Sequence, residues 1–497
     1  MFSELLNKIK QAIKRMFGLT PEQQAVDVQS TVSPKMQKEI EKWKRMYMDN
    51  ADWLGGEAGI KSLGISGEIC SKIAKAVCLE MESNITKPDE TEVKDLKEEP
   101  KTRAEYLNRP YHFRLLDRLR DKLEYGFAVG GMIIKPYVNN DNIYFDFLAQ
   151  GEFVPLQFDD DGNITDIAFP DILIANGKRY TKIERHIFDT LAKTVTVVNK
   201  AFVSNDIEGE ELGNEIPLSQ VAQWANLSEE PVVIENCEKP LYGYFKVAKA
   251  NHIDVKSPLG VSLFAKATSL IEDADKQYSR LDWEYDAGQL AVDVDPTVID
   301  ATQPNGYNMM IAQGHKRAFR SVDVDDMYNV FAPALRDDNY LNGLNFILRR
   351  IEDLCEVYRG TLSDLISTNY TATEVITSKQ ETYSTVEDNQ KALQKCLDNA
   401  IYAMNVYTDL YNLFPNGEYS VSYSWDDSMV TDKRTELEEK ITLKNEDIIA
   451  DYEVRSWYTG ETQERAKEMC EEIRSSNEPT LANDLFSAAD DSGEDKE

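Results

Sequence analysis

Two amphipathic helical stretches with a short insert between them decide the fold. The first is SPLGVSLFAKATSLIEDADKQYSRLDWEYDAG, residues 257–288, and the second is DDNYLNGLNFILRRIEDLCEVYRG, residues 337–360. Apolar residues recur in both at helical spacing: Leu263, Ala267, Leu270, Ile271, Ala274, Tyr278, Leu281 and Tyr285, then Leu344, Ile347, Leu348, Ile351, Leu354, Cys355 and Tyr358. Residues 289–335 predict short strands around Gln303–Gly306. This order predicts a helical hairpin with a small β lobe at its tip, the first helix beginning at Pro258.

Toward the N-terminus, the pattern predicts both helices and strands. The predicted elements are helices at 34–50, 66–83 and Pro110–Tyr125, a buried strand at Gly126–Val138, a hairpin into Ile143–Phe147, and a mainly β region at 151–248 with a short helix near 218–226. The sequence therefore predicts an α+β protein.

Toward the C-terminus, the sequence predicts one very long helix. Thr371 and Glu374 have capping-box spacing, and the helical pattern then runs to about Asn412, with a bend expected at 377–385. The remaining predictions are a strand at 419–425, charged helices at 432–474 and a disordered acidic tail at 475–497.

Composition limits the function classes. The 497 residues contain 55 Lys and Arg against 88 Asp and Glu, a net charge of −33. This excess excludes a broad basic face that grips nucleic-acid phosphates. The 6 Cys form no C-x-x-C motif and the 4 His form no H-x-x-x-H pair. We therefore expect a reduced, intracellular protein without a metal site or cofactor.

The first residues, MFSELLNKIKQAIKRMFG, predict a basic amphipathic helix rather than a signal peptide. Its apolar residues recur at helical spacing: Phe2, Leu5, Leu6, Ile9, Ile13, Met16 and Phe17. Such a helix could lie on a membrane, but docking on its own protein or on a partner is the favoured interpretation. Elsewhere the longest apolar stretch is too short for a bilayer span of roughly 18 residues.

Catalytic motifs are weak. Gly55–Ser62 resembles a phosphate loop with the wrong spacing, which favours a turn. Asp159–Asn163 resembles half of a calcium loop but lacks the closing Glu, so it predicts a hairpin turn. Asp426 and Asp427 end a strand and leave open a metal-dependent nuclease or nucleotidyltransferase, although caps and solvated charge explain them more simply. We expect no catalytic residues and no enzyme.

Several segments together resemble portal proteins of tailed bacteriophages, in particular the group from phages of Gram-positive hosts. They are the amphipathic opening, GFAVGGMIIKPYV at 126–138, YTATEVITSKQETYSTVEDNQ at 370–390 and SYSWDDSMVTDKRTE at 422–436. Each motif alone has low specificity, but their order along the chain is more specific.

The resemblance implies an elongated portal-type subunit whose regions follow the chain. They are a wing at 1–256, a first stem helix at 257–288, a small β-rich clip at 289–336, a second stem helix at 337–360, a tunnel loop at 361–371, a long kinked wing helix and returning strand at 372–431, helical crown segments at 432–474, and the tail.

The resemblance also implies a function. Roughly a dozen copies would form a closed ring at one vertex of the capsid. Double-stranded DNA would pass through its channel during packaging and ejection, without sequence specificity. The implied partners are the terminase large subunit, the head–tail adaptor, and the capsid and scaffold proteins, with no membrane. The implied location is the virion, after assembly in the host cytoplasm. A phage structural protein without a channel is the other alternative.

A channel for a polyanion must not trap it, so its basic residues should be few and local. Candidates on the stem helices are Lys276, Arg280, Arg349 and Arg350. Candidates in the clip are His315, Lys316, Arg317 and Arg320, for which ion pairing between subunits is the favoured interpretation. The tunnel-loop residues expected to face DNA are Ser363, Ser367, Thr368, Asn369 and Tyr370.

Overall fold

The computed structural model divides the chain into two compact units, Met1–Trp425 and Asp426–Glu497. The residues that it describes are 32–56, 59–79, 81–88, 96, 98–207, 212–288, 291–294, 319–321, 328–331, 333–364, 372–425, 433–446, 448–459 and 461–477. The N-terminal basic segment lies outside these residues, so its predicted helix stays a prediction.

The first unit opens with helix α1 (Pro34–Tyr47), helix α2 (Ile65–Cys78) and strand β1 (Met81–Thr86). Helix α1 starts at Ser33, whose Oγ accepts a hydrogen bond from the N–H of Met36. The prediction of one helix to residue 83 was wrong, because buried and more exposed residues alternate along β1, as in a strand with one face on the core.

A second helical stretch packs on the first pair. It consists of α3 (Arg103–Pro110), a π-helical turn (Tyr111–Leu116) and α4 (Asp117–Val129). The predicted strand start at Gly126 was wrong, because α4 continues to Val129. Gly130 then ends the helix with a φ of 101°, and a Cβ there would lie 2.5 Å from the carbonyl oxygen of Gly260. The double glycine of the 126–138 motif is therefore needed for this close approach.

Two antiparallel sheets follow in the described residues. The strands are β2 (Gly131–Asn139), β3 (Asn142–Ala149), β4 (Val154–Phe158), β5 (Ile164–Ala175), β6 (Lys178–Asp189), β7 (Thr194–Ser204), β8 (Asn214–Ile216), β9 (Val232–Ile234) and β10 (Gly243–Lys246). Sheet one has the order β10-β2-β3, and sheet two runs from β4 to β8 with β9 also on β7. The predicted hairpins are confirmed, but the predicted helix near 218–226 is only a 3₁₀ turn, Leu218–Gln220.

The helix–insert–helix order is present. Helix α5 (Thr268–Ala287) is followed by β11 (Ala291–Val294), β12 (Phe319–Ser321), β13 (Tyr328–Phe331) and helix α6 (Asp337–Cys355). The prediction that α5 begins at Pro258 was wrong. Leu259, Val261 and Leu263 are all buried, so this segment crosses the core without helical structure. A 3₁₀ turn then leads into α5.

The long helix predicted after residue 371 is α7 (Ala372–Leu410), and the strand after it is β14 (Ser420–Trp425), antiparallel to β1. Helix α7 lies directly on sheet one, where a Cβ on Gly243 would come within 2.0 Å of the carbonyl oxygen of Cys396. The side chains of 372–381 are outside the described part of the chain, so the bend at 377–385 stays a prediction.

The second unit contains α8 (Lys433–Asn445), α9 (Asp451–Thr459) and α10 (Gln463–Asn477). These are the charged helices predicted from the sequence, although α10 continues two residues past the predicted start of the tail. Residues 478–497 lie outside the description. None of the described helices is both long and apolar enough to cross a membrane.

The contact between α7 and sheet one predicts that Gly243→Ala is strongly destabilising. The added methyl group meets backbone, which cannot move aside as a side chain can, so we expect a loss of about 3 kcal/mol or more in the free energy of unfolding. Gly67→Ala is the matched control, because a Cβ at that helical position meets nothing within 4 Å. Denaturant unfolding of both variants checks this, and equal midpoints would contradict the close packing.

Candidate functional site

The candidate site is the pair of helices α5 and α6 together with the segment that follows α6. The two helices pack against each other in the first unit. Ile271, Ala274 and Leu281 on α5 are buried, as are Leu344 and Ile351 on α6. These members of the apolar stripes read from the sequence therefore form the inner face of the pair. Of the other members, Leu263 and Ala267 precede α5, and Tyr285 and Tyr358 are exposed.

An ion pair joins the two helices at the end where the β insert leaves them. The Arg336 guanidinium donates from Nη2 to Glu284 Oε2 at 2.6 Å and from Nε to Oε1 at 3.1 Å. This hydrogen bonding holds the pKa of Glu284 below its ordinary value and raises the pKa of Arg336. Because the pKa of Glu284 is lower in the folded chain than in the unfolded one, this ion pair stabilises the fold at pH values above the ordinary carboxyl pKa. The stabilisation is lost as the pH falls through the pKa that Glu284 has in the folded chain.

A second carboxylate fixes α5 to the N-terminal helices. Asp275 accepts hydrogen bonds from Trp53 Nε1 and from the N–H of Leu63, both at 2.9 Å. Lys61 adds an ion pair to Asp282 at 2.6 Å. Burial raises the pKa of Asp275. The N–H of Gly55 donates to the carbonyl oxygen of Ile60, so the described residues on either side of 57–58 pair as in a turn, which agrees with the favoured sequence interpretation.

A third carboxylate organises the chain after α6. Glu352 is completely buried, and its Oε1 accepts hydrogen bonds from the N–H groups of Gly360, Leu362 and Ser363 at 2.6–3.2 Å. Its Oε2 accepts the Ser363 hydroxyl at 2.8 Å. The Ser363 side chain is therefore buried in the subunit, where its hydroxyl is hydrogen-bonded to Glu352. It fixes the start of the predicted tunnel loop.

The predicted basic residues of the stem helices differ in their surroundings. Lys276 pairs with Glu272 at 2.5 Å, and Arg350 lies 3.6 Å from Asp353. Arg349 donates to the carbonyl oxygen of Asp364 at 3.2 Å. Arg280 is exposed and makes no ion pair with any described residue.

The other predicted site residues lie outside what the structure describes. They are Ser367, Thr368, Asn369, Tyr370, His315, Lys316, Arg317, Asp426 and Asp427, together with the side chain of Arg320 in β12. In the described part of the chain, no cluster of three or more His, Cys, Asp or Glu could hold a metal. Asp159 accepts hydrogen bonds from both the backbone and the side chain of Asn163, which confirms the hairpin turn.

The outer faces of the helix pair carry large apolar side chains. Trp283 on α5 is 62% exposed and Phe346 on α6 is 72% exposed. Both side chains therefore expose large apolar surfaces to solvent in the single subunit.

A comparison with family models gives one family, described as phage portal protein, SPP1 Gp6-like, over residues 112–479. The chain belongs to this family. The matched region is roughly three quarters of the chain and includes both helices of the pair, the insert and helix α7. Comparison with curated proteins gave no match.

The resemblance to phage portal proteins is thereby confirmed, and the chain is a phage portal subunit from a family whose role is structural. The match includes the motifs at 126–138, 370–390 and 422–436, but it begins after the amphipathic opening.

Sequence reasoning missed the three carboxylates that hold the portal helix pair. Glu352 left one signal, because it lies between Ile351 and Cys355 within the apolar stripe of α6. A charged residue on a buried helix face needs partners. The partners of Glu284 and Asp275 come from distant parts of the chain, so their sequence neighbours gave no indication.

We expect Glu352→Ala to destabilise the portal subunit by about 2–4 kcal/mol, because it leaves buried N–H groups without an acceptor. Glu352→Gln keeps one carbonyl oxygen for these groups and should lose less than half as much. Thermal unfolding measures both variants. If they unfold at the same temperature as the wild type, the carboxylate does not organise the segment after α6.

Proposed function

We propose that the chain assembles with copies of itself into a ring that encloses a channel for double-stranded DNA at one capsid vertex. The observation that carries this proposal is the family match across the whole helix–insert–helix region. In this proposal α5 and α6 form the stem, and the strands between them belong to the clip.

The remaining regions follow the order of the chain. The wing comprises residues 1–256 and 372–431, and the tunnel loop comprises residues 361–371. Residues 432–474 form the crown. The clip would dock the terminase large subunit during packaging and the head–tail adaptor afterwards, while the wing would contact capsid and scaffold proteins.

Contacts between neighbouring stems would close the ring. A ring of identical chains uses two different surfaces of each subunit, one for each neighbour. Trp283 and Phe346 supply large apolar groups on different helices of the pair. Large aromatic side chains of this kind dominate the binding energy of interfaces when they are covered.

The charge of the chain suits a conduit for a polyanion. An acidic wall repels phosphate, but at cellular salt the field decays over roughly 8 Å, so it centres DNA without blocking it. Arg280, which is exposed and without an ion pair in the described residues, is the strongest stem candidate for transient phosphate contact. Ser367, Thr368, Asn369 and Tyr370 would touch the duplex from the tunnel loop, which Glu352 anchors through Ser363.

If neighbouring copies cover Trp283 and Phe346, the double variant Trp283→Glu, Phe346→Glu should fail to form rings, because burying two carboxylates at the interface is costly. Size-exclusion chromatography with light scattering should report subunits or small oligomers instead of rings.

The matched control is Leu191→Glu, which changes a 96% exposed residue at the turn between β6 and β7. This control should form rings as the wild type does. Circular dichroism verifies that both proteins are folded. Normal rings from the folded double variant would contradict the stem interface.

Deleting Asn369 and Tyr370 should alter DNA packaging or retention without preventing ring formation, because the proposed stem contacts use Trp283 and Phe346 and not these two residues. The measurement is nuclease-protected DNA per assembled particle, alongside the mass of the purified ring. Deleting Ser492 and Gly493 from the tail is the control and should change neither quantity. Loss of rings in the loop deletion would assign the loop a structural role.

A further inference from the structure

An apolar groove lies beside the point where the described chain begins. One wall is formed by residues of α1, including Ile40, and by Met48 directly after the helix, and Val32 also lines the groove. The opposite wall contains Phe153, Val154 and Leu259. The cavity that they enclose measures about 210 Å³.

The walls of this groove are unsuited to water. Phe153, Val154 and Leu259 are almost completely buried although they border the cavity, whereas Met48 at the rim is 64% exposed. A buried water needs roughly two to four polar partners, which Phe153, Val154 and Leu259 do not supply. The polar residues of the lining are Gln37 and Gln150, together with the charged residues Glu41, Lys44 and Arg45. Apolar side chains are therefore the occupants that such a cavity favours.

The chain supplies a segment of matching chemistry immediately before Val32. Residues 1–18 carry an apolar face at helical spacing, as described above. Residues 19–31 connect them to Val32 and can span roughly 40 Å when extended, so the segment can turn back along α1. The groove-lining stretch from Gln37 in α1 to Met48 at its C-cap, and the stripe from Leu5 to Met16, would each be about 17 Å long as helices.

The charges at the rim agree with this occupant. Lys44 is paired with Glu152, and Arg45 with Asp52. Glu41 also borders the groove and has no ion pair with any described residue. The segment carries four cations on its polar side, Lys8, Lys10, Lys14 and Arg15. Its helix would thus present an apolar face to the groove and bring one of these cations to Glu41, the carboxylate of the lining that the neighbouring ion pairs leave unpaired.

We propose that residues 1–18 dock as a helix into this groove of the same chain. The docked helix covers the exposed side of α1 and fixes the N-terminus of the subunit on the wing. The inference does not depend on ring formation, because the groove and the segment belong to one subunit.

Disulfide trapping in the full chain tests the inference. Ile9→Cys on the apolar face is combined with Met48→Cys at the rim, whose exposure makes the substitution harmless to folding. The matched control combines Gln11→Cys, on the opposite face of the helix, with Met48→Cys. The Ile9 pair should form a cross-link within one chain several-fold faster than the Gln11 pair, above the background of each single variant, as read by peptide mapping.

Equal rates for the two pairs, or no cross-link, would overturn the proposal. A cross-linked dimer would also overturn it, because the groove would then hold the segment of another copy. Limited trypsin digestion gives a second measurement. Met48→Glu should accelerate cleavage at Lys8, Lys10 and Lys14 several-fold, whereas Leu191→Glu should not, and equal cleavage would contradict docking.

Discussion

Three buried or nearly buried carboxylates hold the helix pair on which the rest of the account depends. Glu284 joins the two helices where the insert departs, Asp275 fixes α5 to the turn at residues 53–63, and Glu352 organises the chain after α6. A carboxylate out of water is costly unless donors surround it, and each of these accepts at least two hydrogen bonds.

A buried charged side chain with several hydrogen-bond partners also joins distant parts of the first unit. Arg103 on α3 is buried and donates to the carbonyl oxygens of Asn405 and Phe414 and to the carboxylate of Asp409. The end of the long helix α7 is thereby tied to the N-terminal helices, and β14 pairs with β1 beside it. A helix of this length keeps its position because it is held along its side by Gly243 and at its end by Arg103.

The sequence predicted the order of the helices and strands better than the residues at which they begin and end. Periodicity predicted α5, α6 and α7 and the hairpins of both sheets, because these patterns are local. It failed near Pro258 and Gly126, where Gly130 packs against the distant Gly260. It also failed at residues 81–83, which belong to a strand that pairs with β14 more than three hundred residues away. The apolar stripes of the candidate site were partly predictable from the sequence. The roles of Glu284 and Asp275 were not, since their hydrogen-bond donors come from distant segments.

The α+β fold and the family are established by the structure and the match, and the ring remains the central proposal. The most direct measurement is an electron-microscopy reconstruction of the purified assembly, viewed along its axis. The account predicts a closed ring with a bore wide enough for duplex DNA, walled by α5 and α6 of adjacent subunits. A solitary subunit, or a ring in which these helices lie away from the bore, would contradict it.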